Sequence, residues 1–137
     1  MQYWIFCISP ATYPGVLKHK TVGVRENVIK RFRKIKKGDA FIVYVSKDKV
    51  FSGYGTIKSD TFEENTLIFS KEKVFPNRVK VKFEESKLKK PAKELLFGLK
   101  PFEESWNPGN LIMCKGGFIE IDKGDYQWLL KEIKKAS

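Results

Sequence analysis

Two apolar segments joined by a short polar turn constrain the fold of this chain most. Ala40–Ser46 is apolar on both faces, and Val50–Ile57 follows it after the turn Lys47-Asp48-Lys49. This arrangement predicts a β-hairpin whose first strand is central in a sheet. Gly53 and Gly55 share one face of the second strand, which indicates a bulge or the close approach of another group.

The segment before the hairpin is basic and has helical periodicity. Val28, Phe32 and Ile35 recur at helical spacing, which predicts a helix over Glu26–Lys36 with a buried stripe. The opposite stripe carries only positive charge and consists of Lys30, Arg33, Lys34 and Lys37. Like charges at this spacing repel one another. The stripe is therefore either a solvated face or a surface for phosphates.

Further elements flank this unit on both sides. Gln2–Ser9 is apolar and β-rich, which predicts a central strand that ends at Pro10. A short helix is expected after Thr12, with Pro14 in its first turn. Residues 21–25 are interpreted as a loop.

The second half of the chain predicts an alternating strand and a terminal helix. The strand would direct Val79, Val81 and Phe83 to one face and Arg78, Lys80 and Lys82 to the other. Asp122 is expected to cap the helix, whose predicted buried face is Tyr126, Leu129, Leu130 and Ile133. Short strands and helices without regular alternation favour an α+β fold around a strongly bent sheet or small open barrel.

Charge points to a polyanionic partner. The chain has 137 residues, which suggests a single domain over 1–137, and its net charge is +11. Residues 18–37 carry nine Lys or Arg against one acid. Such a block favours nucleic acid as the partner over an anionic membrane. The alternative is a lysine-rich surface of the kind found in thermophile proteins.

Metal and catalytic chemistry have little support in the sequence. Cys7, Cys114 and His19 are the only cysteines and histidine, so no metal site and no cofactor is expected. His19 lies between two lysines and is paired with no nucleophile by a known motif, so no catalytic residue and no enzyme activity is predicted. With no long apolar run, we expect a cytoplasmic protein with free thiols and no membrane partner.

Aromatic residues are interleaved with the basic ones, as in proteins that stack nucleic-acid bases. Trp4, Tyr13 and Phe62 belong to this set. A stacked base contributes roughly 1–3 kcal/mol, and two aromatic faces with one or two polar groups could hold an extruded base. Core packing is the competing interpretation for each of these aromatic residues.

The order and spacing of several short segments resemble the EVE domain, which belongs to the PUA-like superfamily and is close to the YTH domain. The segments are Tyr3-Trp4, Ser9, Gly23-Val24-Arg25, Lys37-Gly38-Asp39, Tyr44-Val45, Phe75-Pro76-Asn77-Arg78-Val79-Lys80-Val81 and Asp125-Tyr126. None is specific alone, but together they span nearly the whole chain. The resemblance implies a PUA-like pseudo-barrel of about six strands with two to four helices around it.

The resemblance also implies a function and a site. Relatives recognise modified bases, such as methylated cytosine or adenine, in an aromatic cage beside a phosphate-binding surface. By position, the base-pocket candidates are Ser9, Tyr13, Val22, Gly23, Arg25 and Phe62, with Trp4 as a further aromatic candidate. Lys115, beside Gly116-Gly117, would face phosphates together with Lys30, Arg33, Lys34 and Lys37.

One departure from the family pattern affects the predicted cage. Relatives usually carry a Trp where this chain has Val22, so one stacking face is lost. The expected function is a non-enzymatic RNA- or DNA-binding domain that holds a base, modified or not. Two alternatives stay open: an RNA-modification accessory factor or enzyme on the same fold, and a small-ligand or protein-interaction module whose positive charge is incidental.

Overall fold

The structure is a computed structural model that describes residues 1–69, 74–86, 93–102, 112 and 116–135. Its strands are β1 (Tyr3–Ile8), β2 (Thr21–Val24), β3 (Ala40–Val45), β4 (Val50–Ile57), β5 (Phe62–Glu63), β6 (Asn77–Glu85) and β7 (Phe118–Ile121). Its α-helices are α1 (Tyr13–His19), α2 (Ile29–Phe32) and α3 (Lys123–Lys135). Short 3-10 helices span Glu26–Val28, Lys93–Gly98 and Lys100–Phe102.

The strands form one mixed sheet in the order β2-β6-β4-β3-β1-β7, with β5 also paired to β6. Only the β1–β3 pairing is parallel among those described. The sheet curls into an open barrel, so the predicted α+β fold is confirmed. All six residues of β3 are buried, as expected of a central strand.

Apolar side chains pack on both faces of the curled sheet. One core lies between the sheet and α3 and includes Ile5, Ile42, Leu129 and Ile133. The other fills the inside of the curl and includes Phe6, Phe32, Ile35, Phe41 and Val79. The predicted hairpin is confirmed, and it carries a bulge because Val43 pairs with Gly53 whereas Tyr44 pairs with Phe51.

Two predictions about the segment that leads into the hairpin are wrong. Residues 21–24 form the edge strand β2 rather than a loop, because they pair with β6. The helix predicted over Glu26–Lys36 is a 3-10 turn followed by one α-helical turn. After Phe32 the backbone hydrogen bonds tighten to three-residue spacing, from Lys34 to Arg31 and from Ile35 to Phe32. The Lys36 amide then donates to the Asp39 carboxylate at 2.9 Å, in the turn before β3.

The Asp39 carboxylate joins the start of β1 to the start of β3. It accepts hydrogen bonds from the Gln2 amide and the Trp4 indole Nε1, each at 3.0 Å, in addition to the Lys36 amide. Trp4, which the sequence suggested as a base-pocket residue, is only 2% exposed and lies in the core. Its indole therefore has a structural role.

Arg78 is the largest departure from the alternating pattern of β6. Val79 and Val81 are buried and Lys80 and Lys82 are exposed, as predicted, but Arg78 is 0% exposed. Its backbone pairs with Gly23 of β2 on one side and Phe62 of β5 on the other. The guanidinium lies under the loop that precedes β6, as its hydrogen bonds to Val74 and Phe75 show.

The Arg78 guanidinium is saturated with acceptors from that loop. Nε donates to the Phe75 carbonyl at 3.1 Å, and Nη1 donates to Glu64 Oε2 at 2.9 Å and to Thr66 Oγ1 at 2.8 Å. Nη2 donates to the carbonyls of Thr66 and Val74. The guanidinium carbon also lies 5.1 Å from the centre of the Phe69 ring. One side chain thereby holds the described parts of the 64–75 loop against β2.

The predicted cap of α3 is confirmed. Asp122 Oδ1 accepts from the Asp125 amide at 2.7 Å, and Tyr126, Leu129 and Ile133 are buried. The cap bond and the Lys100 ammonium together lower the pKa of the exposed Asp122 carboxyl, with the Lys100 hydrogen bond the larger cause. Leu130 is half-buried, so it lies at the margin of the predicted face.

We expect Arg78→Met to lower the free energy of unfolding by about 3–5 kcal/mol, because three loop carbonyls lose their donor and Glu64 loses its partner. Arg78→Lys should recover only part of this loss, since an ammonium lacks the fork of five donors. The measurement is urea unfolding, with Lys82→Met on the exposed face of β6 as the matched control. A loss in Arg78→Met no larger than in the control would contradict the role assigned to Arg78.

We expect Asp39→Ala to cost about 2–4 kcal/mol of stability, because three N–H donors lose their acceptor and the indole of Trp4 is left buried and unpaired. The control is Asp48→Ala in the exposed hairpin turn, which should stay within about 0.5 kcal/mol of the unsubstituted protein. Thermal and urea unfolding measure both variants. Equal losses in the two variants would contradict the structural role assigned to Asp39.

Candidate nucleic-acid interface

A cavity of about 170 Å³ lies at the open side of the barrel, between the end of β1 and the edge strand β2. Its lining residues are Phe6, Cys7, Ile8, Ser9, Thr12, Val22, Gly23, Val24, Arg25, Phe75, Gly116 and Gly117. Pockets for drug-sized ligands span roughly 300–1,000 Å³. This cavity therefore suits a smaller group, such as one flat ring system.

The first wall exists because β1 extends beyond its neighbour β7. The β1–β7 pairing ends at Phe6 and Phe118, and beyond it the Cys7 amide donates to the Gly117 carbonyl at 2.8 Å. Gly116 and Gly117 have φ angles of +98° and +93°, which favour glycine. A Cβ on Gly116 would also lie 2.7 Å from Val28 Cγ1. The Gly-Gly pair is thus required for the turn that forms this wall.

The opposite wall is β2 with the loop that packs over it. A Cβ on Gly23 would lie 2.6 Å from Phe69 Cε2 and 2.9 Å from the Phe75 carbonyl oxygen, so only glycine lets the loop approach this closely. Phe75 itself has a φ of +46°, which is rare for a bulky residue, and more so before a proline. Arg78 supports this conformation by donating to the Phe75 carbonyl.

Among the described residues that line the cavity, Arg25 is charged, Ser9 and Thr12 carry hydroxyls, and the others are apolar, cysteine or glycine. Ser9 Oγ donates to Thr12 Oγ1 at 3.0 Å and accepts from the Thr12 amide at 3.3 Å, which fixes both hydroxyls at the start of α1. Burial raises the pKa of the Cys7 thiol to about 11, so the thiol is neutral at physiological pH. Arg25 lines the cavity and is exposed.

Four of the seven predicted base-pocket residues line this cavity. They are Ser9, Val22, Gly23 and Arg25. The three aromatic candidates do not line it. Trp4 is in the core, and Tyr13 packs edge-on against Phe83, with 6.2 Å between ring centres. The Phe62 ring lies 5.7 Å from the Lys80 ammonium, so its described contact is with β6.

The aromatic residues that do line the cavity are Phe6 and Phe75, and neither was predicted from the sequence. Phe6 is buried in the core inside the curl, whereas Phe75 is half-buried. The signal for Phe75 is its place in the Phe75-Pro76-Asn77 segment, directly before β6. Thr12 was missed as well. The cavity therefore offers two hydroxyls and one half-buried aromatic ring, whereas the predicted cage has several aromatic faces.

Four of the predicted phosphate-binding residues are exposed, but they do not form one helical stripe. Lys30, Arg33, Lys34 and Lys37 are spread over α2 and the turns that follow it. This segment reaches the cavity through Val28, which packs against Gly116. Arg31 anchors it: one guanidinium nitrogen donates to the Phe118 carbonyl at 2.9 Å, and the group lies 4.5 Å from the Phe118 ring centre. Lys115 lies outside the described residues.

The described residues offer no metal site and no membrane-spanning helix. Within residues 1–69, 74–86, 93–102, 112 and 116–135, no three His, Cys, Asp or Glu side chains are grouped as a metal site would need. None of the helices in these ranges has the length and apolar character to cross a bilayer. Cys7 is a free, buried thiol, and Cys114 lies outside the described residues.

Comparison with solved structures identifies proteins of the same fold. The Mmi1 YTH domain superposes with a TM-score of 0.70 at 18% identity, covering 99% of this chain and 97% of that one. A hypothetical protein from Leishmania major gives a TM-score of 0.68 at 18% identity, covering 98% and 96%. The YTH domain of Zygosaccharomyces rouxii MRB1, solved in complex with N6-methyladenosine RNA, gives 0.64 at 14% identity, covering 96% and 87%.

Comparison with protein families shows which family this chain belongs to. No curated protein matches the sequence. The family model of the EVE domain matches residues 2–132, which is almost the whole chain. This match agrees with the order of the short sequence segments and with the curled mixed sheet. The chain belongs to the EVE-domain family.

Proposed function

We propose that this chain binds RNA without catalysing a reaction, and that it takes one unpaired base into the cavity between β1 and β2. The observation that carries the proposal is a cavity that fits one flat ring system, is lined mainly by apolar side chains and backbone, and lies next to an exposed, strongly basic segment. Sequence-specific RNA recognition commonly uses unstacked bases held against aromatic or guanidinium planes. The YTH neighbours solved in complex with RNA share the fold and support the choice of RNA.

Different residues of the cavity walls would contact different parts of the base. Phe75 supplies one ring face at the rim, and the Arg25 guanidinium can stack on the base or pair with a phosphate. The hydroxyls of Ser9 and Thr12 can exchange hydrogen bonds with the polar edge of the base. Ile8 and Val22 form apolar surface against which an unsubstituted or methylated edge would pack.

Stacking at this cavity is weaker than in a full aromatic cage. One aromatic face contributes roughly 1–3 kcal/mol per base, and Val22 stands where relatives carry a Trp. Phosphate contacts must therefore supply most of the affinity. A buried methyl group adds about 0.8 kcal/mol, so a methylated base would be preferred about fourfold.

The phosphate contacts would come from Arg25 and from the basic residues that follow it. Lys30, Arg33, Lys34 and Lys37 are exposed along one stretch of chain that packs beside the cavity wall. For single strands, each neutralised phosphate contributes roughly −0.7 to the slope of log affinity against log salt. Contact with four or five phosphates would therefore give a slope of about −3.

We expect Phe75→Ala to weaken binding of a short single-stranded RNA by about tenfold or more, because the base loses its stacking face. Fluorescence anisotropy with an end-labelled oligonucleotide measures the affinity, and the melting temperature of the variant shows that it is folded. The matched control is Phe97→Ala, an exposed phenylalanine on the 3-10 helix Lys93–Gly98. Equal affinities for both variants would place the base elsewhere.

We expect Arg25→Ala to weaken binding and to reduce the steepness of the salt dependence by about 0.7, the loss of one phosphate contact. Lys131→Ala on α3 removes the same charge from another part of the surface and is the control. Binding that does not change with salt would overturn the phosphate role. Failure of RNA to bind even at low salt would overturn the proposed function as a whole.

A further inference from the structure

The outer face of β4 and β6 carries a group of basic side chains that the proposed function does not use. Val79 and Val81 point into the curl of the sheet, so Lys80 and Lys82 point outwards. The Lys58 amide donates to the Lys80 carbonyl at 2.7 Å, which continues the β4–β6 register and places Lys58 opposite Lys80. All three lysines are exposed, and together they form the lysine cluster.

The side chains of the lysine cluster start close together. In a sheet, the Cβ atoms of directly opposite residues are about 4.5–5.5 Å apart, and residues two apart along a strand are separated by about 7 Å. Like charges that face one another across two strands destabilise a sheet. Within the described residues, none of the three lysines takes part in an ion pair. A bound polyanion would relieve this repulsion.

Two ordinary reasons for surface lysines do not fit this position. Lysines on an edge strand discourage pairing with another sheet, but β6 is paired on both sides, with β4 and with β2 and β5. Lysines in thermophile proteins belong to networks of ion pairs, and the described residues give the lysine cluster no such network. A ligand of opposite charge explains the cluster better.

Lys80 is held in position by the protein itself. Its ammonium donates to Thr21 Oγ1 at 3.0 Å, and this hydroxyl donates in turn to the His19 carbonyl at 2.8 Å. The same ammonium lies 5.7 Å from the centre of the half-buried Phe62 ring. Because an ammonium has three N–H donors, two are left for the oxygens of a phosphate.

The lysine cluster adjoins the end of the basic segment to which the proposed function assigns phosphates. The Lys37 amide donates to Asp60 Oδ1 at 3.4 Å, and the Gly38 amide donates to the Ile57 carbonyl at 2.9 Å. These bonds bring Lys37 to the end of β4, next to Lys58. The basic surface therefore continues from that segment onto the sheet.

Acidic side chains border the lysine cluster rather than divide it. Glu84 is directly opposite Tyr54 at one end, where burial and the Glu84 carboxylate together raise the pKa of Tyr54. The Lys134 ammonium of α3 lies 5.2 Å from the Tyr54 ring centre, which adds a cation at the same end. Asp60 lies at the other end, and Glu64 already forms an ion pair. The centre of this face is therefore positively charged.

We propose that the lysine cluster binds phosphates of the RNA strand that leaves the cavity, after the strand has passed along the basic segment. This proposal rests on the proposed function, because the base in the cavity defines where the strand starts. The half-buried rings of Phe62 and Tyr54 flank the cluster and offer faces for bases, which favours single-stranded RNA over an acidic protein segment. Three further phosphates, at roughly 0.7 each, would steepen the salt dependence by about 2.

The test compares two strand lengths by fluorescence anisotropy. One RNA has about four nucleotides and the other about twelve, within the roughly 4–16 that single-strand-binding folds cover. Lys58→Gln combined with Lys82→Gln should weaken binding of the long strand about tenfold. It should also reduce the steepness of the salt dependence by about 1.4, which is twice 0.7. The affinity for the short strand should not change.

The matched control is Lys131→Gln combined with Lys135→Gln, which removes the same charge from two exposed lysines of α3. We expect it to change binding of the long strand by about twofold at most, since charges beyond a Debye length of about 8 Å are largely screened. Melting temperatures show that both double variants are folded.

Equal affinities of the two double variants for the long strand would overturn this proposal, while binding of the short strand would leave the cavity site in place. An equal loss for both strand lengths in the cluster variant would also overturn it. Displacement of the long strand by a glutamate peptide of matched charge, as effective as by unlabelled RNA, would assign the cluster to acidic protein segments instead. Failure of both strands to bind the unsubstituted protein at low salt would overturn the proposed function and this proposal with it.

Discussion

The open side of this barrel depends on the hydrogen bonds of the buried Arg78 guanidinium. An isolated charge in a protein interior is strongly unfavourable, so its five donors must all find acceptors. They find them on Glu64, Thr66, Val74 and Phe75, which belong to the segment before β6. Because that segment also packs on Gly23, the same contacts fix β2 and one wall of the cavity. Fold stability and site geometry are thereby coupled through one side chain.

The site follows from a barrel that does not close. β2 and β7 are the two ends of the strand order, and β1 extends past β7 towards β2. The gap between them is bordered by apolar side chains, two hydroxyls, backbone and Arg25, while the basic side chains of residues 30–37 do not line it. In the proposed function, this separation would give the charged segment most of the affinity, which is sensitive to salt, and the cavity the selectivity. With Val22 in place of a second aromatic face, the selectivity is expected to be modest.

Local patterns predicted the parts of this structure that local interactions determine. The β3–β4 hairpin and the capped helix α3 follow from periodicity, turn residues and Asp122. Arg78 was misassigned because alternation gives the face of a strand, whereas its burial is decided by acceptors three to fourteen residues away. The helix over 26–36 was predicted too long because periodicity does not show that the backbone tightens into turns after Phe32 and that the Lys36 amide bonds to Asp39. Phe75 was missed for the same reason as Arg78, since only the folded loop brings it to the cavity.

The central claim is that a base enters the cavity while phosphates contact the basic segment outside it. The most direct measurement is the shift of backbone amide NMR signals on addition of a short single-stranded RNA at low and at high salt. We predict that the amide signals of Ser9, Gly23 and Gly117 shift at both salt concentrations, while the shifts of residues 30–37 become smaller as the salt concentration rises. Shifts confined to residues 30–37, and lost at high salt, would contradict it, because the RNA would then bind without placing a base in the cavity.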